Sequence, residues 1–340
     1  MIPFRQFFFL CFTCILLNMA ASAQTGSVKV HKKDSDYADS MKGKGYPWRF
    51  PLLGSKVASR GFSLQYPVGA MINFSPGSQK VNISDLKVGI GSHEPVDLDF
   101  VKFGEVKAEI QALTARMDLW VLPFLDVYGI AGKVWSKTNV SVVSPIQFNT
   151  EANFDGHVLG LGVTLAGGYH GFVSINDFNH TWTILDNIEG AVKTWMITPR
   201  LGYNFNFPKD RMLTFWVGTT GLLVDKGTAG SINIGNLTED IPQDKLQEIK
   251  DETASWYQGL SRPQQIVVKD IADKLIDKIE TNNPDGVIIN YSLRKRPVSN
   301  WSMLVGGQYQ FSKRWQARVE VGFLGGRQSG LLSANYRWRW

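Results

Sequence analysis

The last fourteen residues, Arg327 to Trp340, constrain the fold of this chain most. Counted back in steps of two, Trp340, Trp338, Tyr336, Ala334, Leu332 and Gly330 share one face of a strand. Arg339, Arg337, Asn335 and Ser333 share the other, with Leu331 the exception. Side chains alternate faces at every residue of a strand, so one face here is aromatic and apolar and the other polar and cationic. In a soluble sandwich the apolar face points inward. In a membrane barrel it points to lipid and the polar face lines the lumen.

The start of the chain bears on that choice. Arg5 supplies a short positive region, Phe7 to Leu17 is an apolar run, and Ala21-Ser22-Ala23 is a small-residue cleavage site. This predicts a secretory signal peptide cut after Ala23. The run is shorter than the ~20 residues a spanning helix needs. Both cysteines, Cys11 and Cys14, fall inside it. Neither sits in a lipobox, because Leu10 and Thr13 precede them where Gly or Ala is expected. The mature chain is then free of cysteine, which excludes a disulfide framework and thiol chemistry. Without Arg5 the 36 basic residues become 35 against 30 acids, a small and dispersed excess that gives no footprint for nucleic acid. No later segment reaches ~18 unbroken apolar residues, so no transmembrane helix is expected.

Alternation dominates from about residue 59 onward. Trp301, Met303, Val305, Gly307, Tyr309 and Phe311 alternate with polar or small residues, and after Ser312-Lys313-Arg314 so do Trp315, Ala317, Val319, Val321 and Phe323. A second hairpin places Trp195, Ile197, Pro199, Leu201, Tyr203, Phe205 and Phe207 on one face, continued by Leu213, Phe215 and Val217 after Pro208-Lys209-Asp210. Pro199 removes a ladder donor, and a bulge there is the expected remedy. The opposite faces are rich in Gly, Ser, Thr, Asn and Gln with single Arg and Glu, which suits a narrow lumen better than a soluble surface. Aromatics gather at strand ends, as in two interfacial girdles.

Short turns at 122–124, 168–171, 208–210 and 312–314 alternate with longer connections near 141–152, 185–190, 226–297 and 324–327. Short periplasmic turns and long outer loops give this pattern. The expected strands are 105–122, 124–140, 153–168, 171–184, 190–206, 211–225, 298–311, 314–324 and 328–340, with a first strand within 60–75. The fold class is therefore all-β, a transmembrane antiparallel barrel of about ten strands; 81–91 alternates too and either extends an outer hairpin or adds a pair, which gives twelve. The face pattern between 105 and 135 changes phase near Ala112-Leu113. The organisation is a leader at 1–23, a polar arm at 24–58, barrel strands at 59–225, an insert at 226–297 and closing strands at 298–340. The arm reads as a mobile linker, with a plug or a partner-binding peptide as alternatives.

Within the insert the apolar period becomes helical. Leu246, Ile249, Trp256 and Leu260 form one run, and Val268, Ile271, Leu275 and Ile279 another between Pro263 and Asn282-Asn283-Pro284. Two amphipathic helices packed together as a lid in an outer loop are expected. The alternatives are a partner-binding site across 242–282, a plug, or a membrane-surface helix.

The candidate site is the lumen. Arg116, Asp118, Arg200, Arg318, Glu320, Arg337 and Arg339 face it by the alternation. Charges buried in a narrow barrel must pair, so an ion-pair brace is the plain reading. The functional reading is a constriction, and five bases against two acids would favour anions. The five histidines show no metal spacing, and no cofactor is implied. Ser174, Asn176 and His180 are the residue types of outer-membrane lipid hydrolases. Ser174 and His180 lie six residues apart on one strand, roughly 20 Å, too far to share a proton. No phosphate loop or nucleophile elbow is present, so the expectation is no enzyme.

The ending Tyr336-Arg337-Trp338-Arg339-Trp340 resembles the C-terminal signal of Gram-negative outer-membrane barrels, with Trp in place of the usual Phe. The resemblance implies recognition of Tyr336, Trp338 and Trp340 by the barrel-assembly machinery. Arg116 to Gly129, reading RMDLWVLPFLDVYG, resembles a segment of uncharacterised porin-like barrels and brings no activity with it. The expected protein is an outer-membrane barrel, a small channel or transporter for small polar or anionic solutes, in contact with outer-membrane lipid and not with nucleic acid. The alternative is a non-conducting structural or surface-binding barrel whose helical loop engages a partner, and a more distant one is a lipid-modifying outer-membrane enzyme.

Overall fold

The structure, a computed structural model, describes residues 47–59, 64–90, 95–144, 148–186, 188, 190–224, 227–233, 257–281 and 288–340. The expected leader and most of the first predicted helix of the insert, through Trp256, lie outside these residues. Thirteen strands follow one another: β1 (Val68–Ile90), β2 (Val96–Asp97), β3 (Lys102–Leu122), β4 (Leu125–Ser144), β5 (Phe148–Tyr169), β6 (Phe172–Leu185), β7 (Ala191–Phe207), β8 (Arg211–Val224), β9 (Gly227–Asn233), β10 (Ile288–Pro297), β11 (Trp301–Gln310), β12 (Trp315–Phe323) and β13 (Arg327–Trp338). Helix α1 (Gly54–Ala58) precedes them and helix α2 (Arg262–Thr281) lies between β9 and β10.

Ten strands close a ring in the order β1, β3, β4, β5, β6, β7, β8, β11, β12, β13, with every neighbour antiparallel. Closure is the pairing of β13 with β1, from Val68↔Trp338 to Gln79↔Arg327. The terminal alternation is thus the seam that removes the last sheet edge. The twelve-strand alternative fails for a simple reason. Residues 81–90 do not start a new strand but prolong β1, whose upper edge pairs with β10 once β13 has ended. The β9–β10 hairpin therefore stands on top of the wall beside β1.

The turns at one end are as tight as the sequence demands. His170 and Gly171, with φ of 50° and 89°, link β5 to β6 as a two-residue turn with both residues left-handed, a geometry matched to strand twist. The opposite end departs from expectation. Most of the predicted long loop at 141–152 is strand, because β4 runs to Ser144 and β5 restarts at Phe148. No bulge forms at Pro199: β6 pairs straight through it, and the β7–β8 register is the same on both sides of it. The ladder with β8 skips only Thr198 and Pro199, which absorbs the missing donor.

The expected phase change at Ala112-Leu113 is not a change of geometry. The β3–β4 register runs unbroken from Val106↔Val140 to Trp120↔Asp126. The chemistry inverts instead. Leu113, Ala115, Met117, Leu119 and Val121 point outward in the lower part of β3, whereas Lys107, Glu109 and Gln111 point outward above. On β5 the outward Leu159, Leu161, Val163 and Leu165 give way to His157, Asp155, Asn153 and Glu151. On β1, Ala70, Ile72 and Phe74 give way to Ser78, Lys80 and Asn82. Leu113 to Val121 spans about 26 Å along the strand, the order of an outer-membrane apolar band. Outward aromatics mark both borders. Phe172, Tyr203, Tyr309, Phe311, Trp315 and Tyr336 lie at the tight-turn end, and Trp135, Trp182, Trp195 and Trp301 lie at the other. Strands β1, β3, β4 and β5 continue past that second border as a wall with a wet outside.

At the tight-turn end the residues before β1 close the mouth. Pro51 and Pro67 are fully buried, Leu52 N–H donates to Val121 O at 2.8 Å, and Trp120 N–H donates to Pro67 O at 2.9 Å. The last part of the polar arm is therefore packed onto the barrel, and β1 begins at Val68, inside the expected 60–75, but runs on to Ile90.

At the far end the Gln264 side chain folds back to cap the start of α2. Ser261 N–H and Oγ both reach Gln264 Oε1, at 3.0 and 2.9 Å. Gln264 Nε2 then donates to Asp97 O and Asp99 Oδ1, fixing the helix to β2. Val267 is the buried anchor, in a cluster with Val88 and Leu98, while its predicted neighbour Val268 is half-buried. Val88 and Tyr291 pair across β1 and β10 on the inward face, so α2 docks on the inside of the rim.

Candidate functional site

Register places Arg116, Asp118, Arg200, Arg318, Glu320 and Arg337 on the inward face, as the alternation predicts. Arg339 is not among them. Strand β13 ends at Trp338, and Arg339 is exposed below the mouth. Its guanidinium lies 5.1 Å from the Trp48 ring centroid and 5.2 Å from that of Tyr66, and it donates to Tyr66 Oη at 3.0 Å. Of the three terminal aromatics, Tyr336 and Trp338 face outward on β13. Tyr336 stacks on Trp338 at a centroid distance of 6.2 Å and meets Trp315 at a tilt, 4.9 Å away.

Arg116 and Asp118 are neighbours on one strand face but do not pair with each other. Arg337 reaches Asp118 from across the closing seam, at 2.9 Å. It also donates to Tyr66 O and Pro67 O, so one guanidinium ties β13, β3 and the mouth segment together. Arg116 donates to Asp126 Oδ2 at 2.6 Å and lies 3.6 Å from Asp177. Arg200 bonds Asp177 at 2.5 Å and Glu320 at 3.0 Å. The result is a chain of charges, Asp126–Arg116–Asp177–Arg200–Glu320, running through the lumen from β4 to β12. Every side chain in it is at most 12% exposed.

Neutral groups complete the packing. Thr164 Oγ1 donates to Asp177 Oδ1 at 2.6 Å. Arg318 carries no carboxylate; it donates to Gln308 Oε1 at 3.1 and 3.3 Å and lies 5.5 Å from the Trp216 ring centroid. The Arg116 guanidinium lies flat on Tyr128, 3.5 Å from the ring centroid. Gly162 makes room for that ring, since a Cβ there would come within 2.4 Å of Tyr128 Cζ. A cavity of about 80 Å³ remains between Arg116, Trp120, Trp216, Asn335 and Arg337, polar and roomy enough for several waters. A larger concavity, about 980 Å³, lies among the outward Leu201, Tyr203, Phe215, Val305 and Val319 of the lipid-facing belt.

Sequence reasoning missed Asp126 and Asp177. Both could have been found by asking which acid each inward arginine meets, because Asp126 alternates with Val127 and Asp177 with Phe178. With them the lower lumen holds four arginines, Arg116, Arg200, Arg318 and Arg337, against Asp118, Asp126, Asp177 and Glu320. The five-to-two excess that favoured anions is gone.

Ser174, Asn176 and His180 face outward. Asn176 Nδ2 donates to Ser174 Oγ at 3.0 Å, and His180 sits in the outer girdle between Trp182 and Trp195, with centroids 4.4 and 4.3 Å away.

A closed antiparallel ring, a lipid-facing apolar belt and a polar lumen define a transmembrane β-barrel. No family model and no curated protein sequence matches the chain. Among solved structures it is similar to the outer membrane protein OprG from Pseudomonas aeruginosa, at 10% identity and a TM-score of 0.39, over 81% of this chain and 99% of that one. It is also similar to the β domain of the Bordetella autotransporter Brka, at 7% identity and 0.38 over 80% and 100%. The translocator domain of the autotransporter NalP from Neisseria meningitidis gives 9% identity and 0.34 over 90% and 94%.

Proposed function

We propose that the protein is an outer-membrane barrel with no standing ionic conductance, its lumen braced shut by buried ion pairs. The observation that carries this is the charge chain from Asp126 to Glu320, which crosses the lumen and leaves a cavity of only about 80 Å³ beside it. The outer-membrane assignment draws on the leader, the belt and the terminal aromatic strand. Outer-membrane lipid covers the belt, the barrel-assembly machinery receives β13, and no nucleic acid is involved. The working surface is then the outer end, where α2 and the β9–β10 hairpin meet the protruding wall, and where a partner would engage 242–282. No catalytic role is assigned: Ser174 bonds Asn176 rather than a base.

Refolded protein in planar bilayers tests this reading. No current steps are expected, and stable steps of the wild-type protein would overturn it. A gated channel for small polar solutes is the second reading. It is favoured by the retention of buried ions where apolar packing would be at least as stable. Its mark would be current in Asp177→Asn or Glu320→Gln proteins that keep the barrel fold.

A further inference from the structure

Above the outer girdle much of the inward face is apolar, although Ser136 and Thr138 share it, where a water-filled mouth would be polar throughout. Val81, Ile83, Val106, Ile110, Val140 and Phe154 all point inward there. Val106 is 2% exposed and Phe154 9%, but Ile110 is 39% exposed although it faces the lumen. Space therefore remains in front of Ile110, and apolar surface lines it.

One basic side chain enters this surface. Lys295 pairs with Ile83 across the β1–β10 ladder and so points inward. Its ammonium lies 5.6 Å from the ring centroid of Phe154 on β5, across the mouth from β10. The inward arginines are all bonded, to Asp or Glu, to Gln308 or to Gln79. Lys295 has no ion pair and no hydrogen bond among the described residues. Burial alone pushes its pKa below the usual lysine value. A desolvated cation without a counter-charge is costly, and a bound carboxylate would offset that cost.

We propose that the outer half of the lumen binds a long-chain aliphatic carboxylate, its tail against Ile110 and Val140 and its head on Lys295. Helix α2 docks at the rim beside β1 and β2 through Val267. The tail fixes affinity by burial, about fourfold for each CH₂ removed from water. The head fixes specificity, because an uncharged alcohol of equal length leaves the ammonium unpaired.

The probe is dodecanoate carrying a diazirine at the tail end, added to the full-length protein in phospholipid nanodiscs, irradiated and mapped by peptide mass spectrometry. Label is expected in peptides covering 103–112 and 134–142, the strands that face the tail. Unlabelled dodecanoate should compete at least tenfold better than dodecanol. Lys295→Met should cut labelling about tenfold, with Lys295→Arg keeping most of it, both checked for folding by heat-modifiable mobility. Labelling confined to belt peptides such as 159–165 would overturn the proposal. So would equal competition by dodecanol, or competition by dodecyl phosphate and not by dodecanoate. The wild-type mapping and competition stand even if a variant misfolds.

Discussion

The barrel consists of two halves built on the same strands with opposite chemistry. In the membrane half β3 points Leu113, Met117 and Leu119 outward and Arg116 and Asp118 inward. A few residues further along the same strand, Lys107 and Glu109 point outward and Val106 and Ile110 inward. Neither register nor pleat changes between them. The solvent outside the wall changes from lipid to water, and the sequence follows it. An alternation therefore fixes which residues share a face but not which face is the inside.

Removing one charge from the membrane-half lumen should have the largest effect. Asp177 serves both Arg116 and Arg200, so Asp177→Asn leaves two buried guanidiniums under-compensated. A loss of about 3–5 kcal/mol is expected, read from the urea midpoint of folding into vesicles. A loss below about 1 kcal/mol would mean that water already solvates the network.

A single substitution repeated on one strand face separates the halves directly. Leu161→Arg, at 64% exposure in the belt, should cost about 2–4 kcal/mol. His157→Arg, four residues up the same outward face of β5, should cost about 0–1 kcal/mol. Equal costs would place His157 in lipid and break the comparison. At the rim, Val267→Ala should cost about 1 kcal/mol or less of global stability. It should still raise protease cleavage between 257 and 281 several-fold, because α2 is held chiefly through that side chain and Gln264. The smallest effect is expected outside the protruding wall. Lys137 and Glu151 pair at 2.6 Å but are 46% and 40% exposed, so Lys137→Met should leave the urea midpoint unchanged.

The terminal strand was legible from the sequence because its period, its aromatic border and its end coincide. Residues 301–323 were legible for the same reason. The inward arginines followed from the same counting, while their acids did not. Asp177 lies in a strand whose outward Ser174, Asn176 and His180 read as polar, which hides the alternation around it. Leu331 stood out as an exception on the polar face; it remains inward, paired with Glu320 near the level where the lumen loses its charge. The reach of β1 was hidden by Asp85, which has φ 53° at a bulge between Ser84 and Lys87 and so resets the pattern of 81–90. Arg339 shows the limit of counting: alternation continues on paper after the strand has stopped at Trp338.

The inversion plane is the central claim, and spin-label accessibility along β3 tests it most directly. Labels placed one at a time at 107, 109, 111, 113, 115 and 117 in lipid vesicles should divide sharply. Those at 113, 115 and 117 should relax with oxygen and be shielded from a water-soluble nickel chelate, and those at 107, 109 and 111 should do the reverse. Oxygen-dominated relaxation at all six positions would contradict the account, since the outer half would then be lipid-embedded and its apolar interior would need another explanation.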